Sequence, residues 1–282
     1  MNDRPNYVES TMKALSLMEE KGNYDNLIGL LDGMNRARAT TMKMRFHGKI
    51  ARTLERHGRQ DILLECVRQA SRTGFILSKD MRHHVLAAMS RKASVDWDAA
   101  NTEKALRWSE QILDLMEEPI HAPKPGRTTP HPHKDPAVLG RLLEISAMRA
   151  SKHQGGKDTD GKVEYYAKKV IGSFANVAPV PARPGATETD KKISRRSENS
   201  LVNQWLATVV HLLHGMKVAQ AVLGPTSEVA NQLGEKAAAL QTDVDSAYEN
   251  LSNSPWGKSA PRWGIIAYRE CFGEQSQNVQ EI

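Results

Sequence analysis

Apolar residues along this chain fall mostly at steps of three and four, the period of a helix with one buried face. Leu27, Leu30, Leu31 and Met34 share one such face, and Leu63, Cys66, Val67 and Ala70 share another. Leu106, Ile112, Leu113 and Met116 make a third. The pattern also recurs over longer distances. The segments Lys21-Gly22-Asn23-Tyr24-Asp25-Asn26-Leu27 and His57-Gly58-Arg59-Gln60-Asp61-Ile62-Leu63 agree at Gly, Asp and Leu after a shift of 36. Met42, Phe46, Ile50 and Leu54 become Leu77, Met81, Val85 and Met89 after a shift of 35. A period in this range predicts stacked helical pairs: an all-α protein, built as an α-solenoid of about five hairpins.

Glycine and proline set the expected boundaries. Three hairpins occupy residues 1–118, at about 7–34, 40–73 and 78–118, with Gly22 ending the first helix, Gly74 the second pair and Pro119 the third. Residues 119–136 hold six of the chain's 13 prolines and read as an extended linker. A fourth hairpin follows over 137–174, carried by Val138, Leu139, Leu142, Leu143, Ile145 and Met148, then by Val163, Tyr166, Val170 and Phe174. Residues 175–198 read as a second Pro-rich linker with a basic end. Residues 199–282 read as a fifth hairpin and a capping tail. Its second helix has Val229, Leu233, Ala237, Leu240, Val244, Tyr248 and Leu251 on one seam. Thr208-Val209-Val210 lies within helical periodicity and reads as helix.

Charge changes the picture from architecture to partners. The net charge is +6, distributed as +4 over residues 1–133, +6 over 134–196 and −4 over 197–282. A basic front and middle with an acidic end suggests an oriented contact with something anionic. Two cysteines, Cys66 and Cys271, allow no disulfide framework and fit a reducing compartment. Residues 1–10 lack an apolar signal core and the Arg-rich character of a mitochondrial presequence. The most apolar stretch, 205–223, contains His211, His214, Lys217 and Gln220, so a buried helix is expected there instead of a bilayer span.

The strongest chemical feature is cationic. Residues 36–59 contain Arg36, Arg38, Lys43, Arg45, Lys49, Arg52, Arg56 and Arg59, with Glu55 the only acid. Arg45, Lys49, Arg52 and Arg56 recur at helical spacing, beside the apolar stripe of the same helix. Such a row can follow a phosphate backbone. Lys191, Lys192, Arg195 and Arg196 make a second basic run. No metal or cofactor is expected. His121, His131 and His133 lack a Cys or carboxylate at ligand spacing, and His211 and His214 lack the glutamate of a hydrolytic zinc helix, which points to packing roles. Ser10-Thr11-Met12-Lys13 matches S-x-x-K without its companion motifs. The loop over 155–161 lacks the strand that a phosphate-binding loop follows.

The 35-residue step, the paired helices and the basic face of residues 7–118 resemble tetratricopeptide and pentatricopeptide repeats. Arg72-Thr73-Gly74-Phe75, before a new helix at Ser78, is closer to the pentatricopeptide style. The Trp, Leu-Gly and Tyr signature of tetratricopeptide repeats is not visible, and no polar pair recurs at base-reading positions. Degenerate repeats joined by basic, Pro-rich connectors are similar to accessory proteins of fungal mitochondrial translation, including mitochondrial ribosome subunits. The resemblance implies a non-catalytic scaffold in a ribonucleoprotein of the mitochondrial matrix. RNA would meet the two basic runs, and other proteins of a large complex would meet the C-terminal part, with no membrane or small-molecule substrate. The alternative is a protein–protein adaptor of tetratricopeptide type in cytosol or nucleus.

Overall fold

The computed structural model describes residues 7–18, 21–36, 44–122, 131–181, 191–259 and 262–273. Every regular element among the described residues is helical. The chain gathers into two compact units, residues 1–132 and 133–282.

The first unit contains α1 (Tyr7–Ser16), α2 (Lys21–Asp25), α3 (Leu27–Arg36), α4 (Met44–Arg56), α5 (Gln60–Arg68), α6 (Ala70–Thr73), α7 (Lys79–Arg91) and α8 (Ala99–Leu115). Helix α1 packs on α4 and α4 on α7; α3 packs on α5 and α6, and α5 on α8. The predicted apolar stripes face these contacts. Leu27 and Leu31, Leu63, Cys66 and Val67, and Leu106, Ile112 and Met116 are at most 1% exposed, whereas Leu30 and Met34 are only half-buried. Gly58 and Gly74 adopt positive φ of 67° and 74°, the left-handed conformation that ends a helix. Gly22 does not: it lies inside α2, so the first helix ends without the glycine expected to stop it.

Short polar ties close the turns. Thr73 Oγ1 donates to the Cys66 carbonyl at 2.6 Å, across the break between α5 and α6. His121 accepts from the Leu77 N–H at 3.2 Å on Nδ1, while Nε2 lies 3.2 Å from the Val67 carbonyl. That ring is 2% exposed and pins the turn after α8 to the connection entering α7.

The second unit contains α9 (Pro136–His153), α10 (Lys162–Ser173), α11 (Lys191–Leu223), α12 (Glu228–Asn253), α13 (Pro255–Lys258) and α14 (Trp263–Phe272). Asp135 caps α9, accepting from the Ala137 N–H, with Pro136 in the first turn. Ser227 caps α12 in the same way.

This unit departs from a row of hairpins. Helix α11 is 33 residues long and packs against α9, α10, α12 and α14, making a bundle around one axis. It begins at Lys191, inside the stretch read from sequence as a linker. The segment of α11 from Glu198 to Leu223 is long and apolar enough to cross a bilayer. Here its Leu206, Val210, Leu213, Met216 and Ala219 are fully buried among the surrounding helices. On α12 the buried positions are Ala230, Leu233, Ala237, Leu240, Val244, Ala247 and Leu251. Ala230 and Ala247 therefore take the places that the sequence pattern gave to Val229 and Tyr248. Tyr248 instead stacks on Tyr268 of α14 at 3.9 Å.

Close approach also sets the centre of the bundle. A Cβ on Gly215 of α11 would lie 2.8 Å from the Glu144 backbone nitrogen, and one on Gly140 of α9 would lie 2.8 Å from the Leu212 Cα. Only glycine permits two helix backbones to meet at that distance. On the other side of α11, Gly264 of α14 meets the Asn203 carbonyl in the same manner.

Candidate nucleic-acid interface and a buried polar cluster

Helix α4 forms because Met44 to Arg56 alternates buried and charged positions at helical period. His47, Ile50, Ala51 and Leu54 turn inward. Lys49 and Arg56 are exposed and Arg52 is half-buried, forming one row along the flank. Lys49 Nζ lies 5.6 Å from the Phe46 ring centre. Burial lowers the Arg52 pKa, and Arg56 adds to this, while Glu55 opposes it. Glu55, the only acid of the stretch, pairs with Arg91 of α7 at 3.6 Å. Among the described residues no carboxylate lies within ion-pair distance of Lys49, Arg52 or Arg56.

The other cations of this stretch are placed differently. Arg36 is exposed but bonds Asp32 at 2.9 Å, which also receives Arg72 at 3.0 Å. The two arginines hold the Asp32 carboxyl below the usual range, Arg72 foremost, against a smaller opposing effect of burial. Arg59 is 4% exposed, and its guanidinium bonds Asp25 at 2.6 Å and Asp61 at 3.0 Å. Those two aspartates are the pair that coincide under the 36-residue shift, so the repeated acid serves one shared arginine. Arg59 is thereby a clamp between the first two hairpins and leaves the exposed row. Arg38 and Lys43 lie outside the described residues, and for Arg45 the description covers the backbone alone. The same holds for Lys191, Lys192, Arg195 and Arg196, which occupy the opening turns of α11.

His121 is used as described above, and His133 meets Lys169 Nζ at 3.0 Å.

In the second unit His211 and His214 have a carboxylate partner that the sequence pattern did not reveal. It comes from α9, brought in by the glycine crossing. Glu144 Oε1 lies 2.9 Å from His211 Nδ1 and 2.8 Å from His214 Nδ1. Oε2 accepts from Arg141 at 3.1 Å. Cys271 of α14 completes the group, its Sγ 3.7 Å from Oε1 and 3.6 Å from His211 Nδ1.

Glu144 is 1% exposed. Burial alone would raise its carboxyl; the His211 ring, the Arg141 cation and the two imidazole N–H groups outweigh that and hold it well below the ordinary value. Burial pushes His211 down to about 4, with the Arg141 cation adding to it and Glu144 opposing. The same burial raises the Cys271 thiol, with the Glu144 charge adding to it. Cys66, the core residue expected from its apolar face, is pushed up to about 12. One signal pointed to Glu144: it is the lone acid in the apolar run from Val138 to Met148. Its meeting with residues about 67 positions later was not legible.

The described residues define a class: an all-helical protein with a cationic flank on α4 and a buried cluster of carboxylate, imidazoles and thiol in its second unit. The comparisons make that class specific. A family model described as mitochondrial ribosomal protein mS27 matches residues 1–270, and the chain belongs to that family. It is also similar to small ribosomal subunit protein mS27 of Neurospora crassa, 28% identical over 286 residues that span 92% of this chain and 70% of that one.

Proposed function

We propose that the protein is a non-catalytic scaffold of the mitochondrial ribosome's small subunit, and that the row on α4 meets ribosomal RNA. Family membership over residues 1–270 carries the ribosomal and mitochondrial part of this reading. The RNA part is supported by Lys49, Arg52 and Arg56, a row of cations on one helix flank, with Glu55, the one acid of residues 36–59, turned to Arg91. Each such cation that neutralises a phosphate releases condensed counterions, which favours binding at low salt. The basic opening of α11 is a second candidate contact, and the acidic C-terminal stretch is suited to protein neighbours. For residues 7–118, a repeat arrangement of tetratricopeptide or pentatricopeptide type is supported by the order of contacts α1–α4–α7 and α3–α5–α8.

The test is charge reversal of the row, Lys49→Glu, Arg52→Glu and Arg56→Glu together. Association with ribosomal small-subunit RNA is measured at several salt concentrations. Binding should weaken, and the slope of log affinity against log salt should fall by about one per lost phosphate contact. Unchanged affinity and slope remove α4 from the RNA interface, while co-sedimentation of the variant with the small subunit tests the scaffold role separately.

A further inference from the structure

We infer that Glu144, His211, His214 and Cys271 form a structural zinc site that ties α9, α11 and α14 together. The ligand atoms of Glu144, His211 and Cys271 lie within 4.8 Å of one another. His214 Nδ1 lies 2.8 Å from the same carboxylate oxygen but outside that set of mutually close donors, so its ring must turn toward His211 and Cys271 to supply the fourth donor. Thiolate, imidazole and carboxylate are all donors that zinc takes, in tetrahedral geometry, with bonds of about 2.0–2.2 Å to nitrogen or oxygen and about 2.3 Å to sulfur. Those bonds give edges between donors of roughly 3.3–3.6 Å. Two observed edges, 3.6 and 3.7 Å from Cys271 Sγ, already fit. The two from Glu144 Oε1, 2.9 and 2.8 Å, must open by about half an ångström.

Charge and proton balance follow from the same atoms. Without metal, both imidazoles must present N–H from Nδ1, because an ionised carboxylate only accepts. On zinc entry each imidazole carries its proton on Nε2 instead, and the Cys271 thiol proton leaves to solvent. Carboxylate and thiolate together neutralise the dication, and Arg141 stays on Oε2, orienting the ligand from behind. One proton is released per metal bound. The donors come from three helices that the sequence separates widely, so the ion cross-links α9, α11 and α14.

The experiment uses the purified full-length chain, stripped with a chelator and titrated with cobalt(II) and with zinc(II). The expected result is one metal per chain, a thiolate-to-cobalt charge-transfer band, displacement of cobalt by zinc, and a higher unfolding midpoint in zinc. Cys271→Ser should abolish the band and cut retained metal at least tenfold. Cys66→Ser should leave both unchanged, as should His131→Ala combined with His133→Ala. Absence of metal uptake by the wild-type chain would overturn the proposal, and so would a charge-transfer band that survives Cys271→Ser. Because the wild-type titration decides the matter alone, poor folding of a variant does not shield the idea. The outcome is also independent of whether α4 binds RNA.

Discussion

Replacing Gly215 with alanine tests the contact on which the second unit is built. In a free helix the change stabilises, because alanine is favoured over glycine by about 1 kcal/mol. Here the added Cβ would lie 2.8 Å from the Glu144 nitrogen, 3.0 Å from the Glu144 Cα and 3.0 Å from the Gly140 carbonyl oxygen. All three are backbone atoms, so no rotamer change relieves the clash and α9 must move as a body. Overpacking of this kind costs about 1–3 kcal/mol. Moving α9 also lengthens the bonds of 2.9 and 2.8 Å from His211 and His214 to Glu144, each worth about 1 kcal/mol. The clash and the lost bonds outweigh the propensity gain, for a net loss of about 1–3 kcal/mol. Gly172 of α10 is the matched control, since a Cβ there meets nothing within 4 Å. Gly172→Ala should therefore stabilise by up to about 1 kcal/mol. Thermal and urea unfolding followed by circular dichroism separates the two, at roughly 2–4 °C per kcal/mol for a unit of this size. If Gly215→Ala raises the midpoint as Gly172→Ala does, the close approach of α9 and α11 is wrong.

Two further substitutions probe the first unit. Burial pushes His47 from 6.5 down to about 4, with Nε2 lacking a hydrogen-bond partner among the described residues. The fold holds this base neutral while the unfolded chain takes up the proton below its ordinary pKa. Its contribution is therefore fully present above pH 6.5 and is lost as pH falls toward 4, by up to about 3 kcal/mol. His47→Leu should flatten that part of the stability–pH curve, and an unaltered slope would show that another group titrates there. Arg59→Met removes the bonds to Asp25 and Asp61 while keeping most of the side-chain volume. Both aspartates are about half or more exposed and can rehydrate, so the loss should fall near the low end of about 1–3 kcal/mol. Asp25→Asn added to Arg59→Met should cost little more, a non-additivity that a double-mutant cycle in urea measures; full additivity would mean the pair does not interact.

Much of the architecture is local and was therefore legible in the chain. Helices form where apolar residues recur every three or four positions, as at Leu63, Cys66 and Val67, because burying one face requires that period. Gly74 marked a helix end, since few other residues accept positive φ, whereas Gly22, read in the same way, lies inside α2. The cation row on α4 was legible for the same reason: residues three and four apart share a face on any helix, whatever it packs against. What the tertiary structure alone decided concerns partners distant in sequence. It took Arg59 out of the cations available to a partner by burying it between two aspartates, turned Glu55 to Arg91, and gathered α9, α11 and α14 into a bundle where a row of hairpins was expected. Glu144 and Cys271 meet His211 only because Gly140, Gly215 and Gly264 let three helix backbones come together. A periodic pattern records which face a residue occupies, and only packing determines which face it meets.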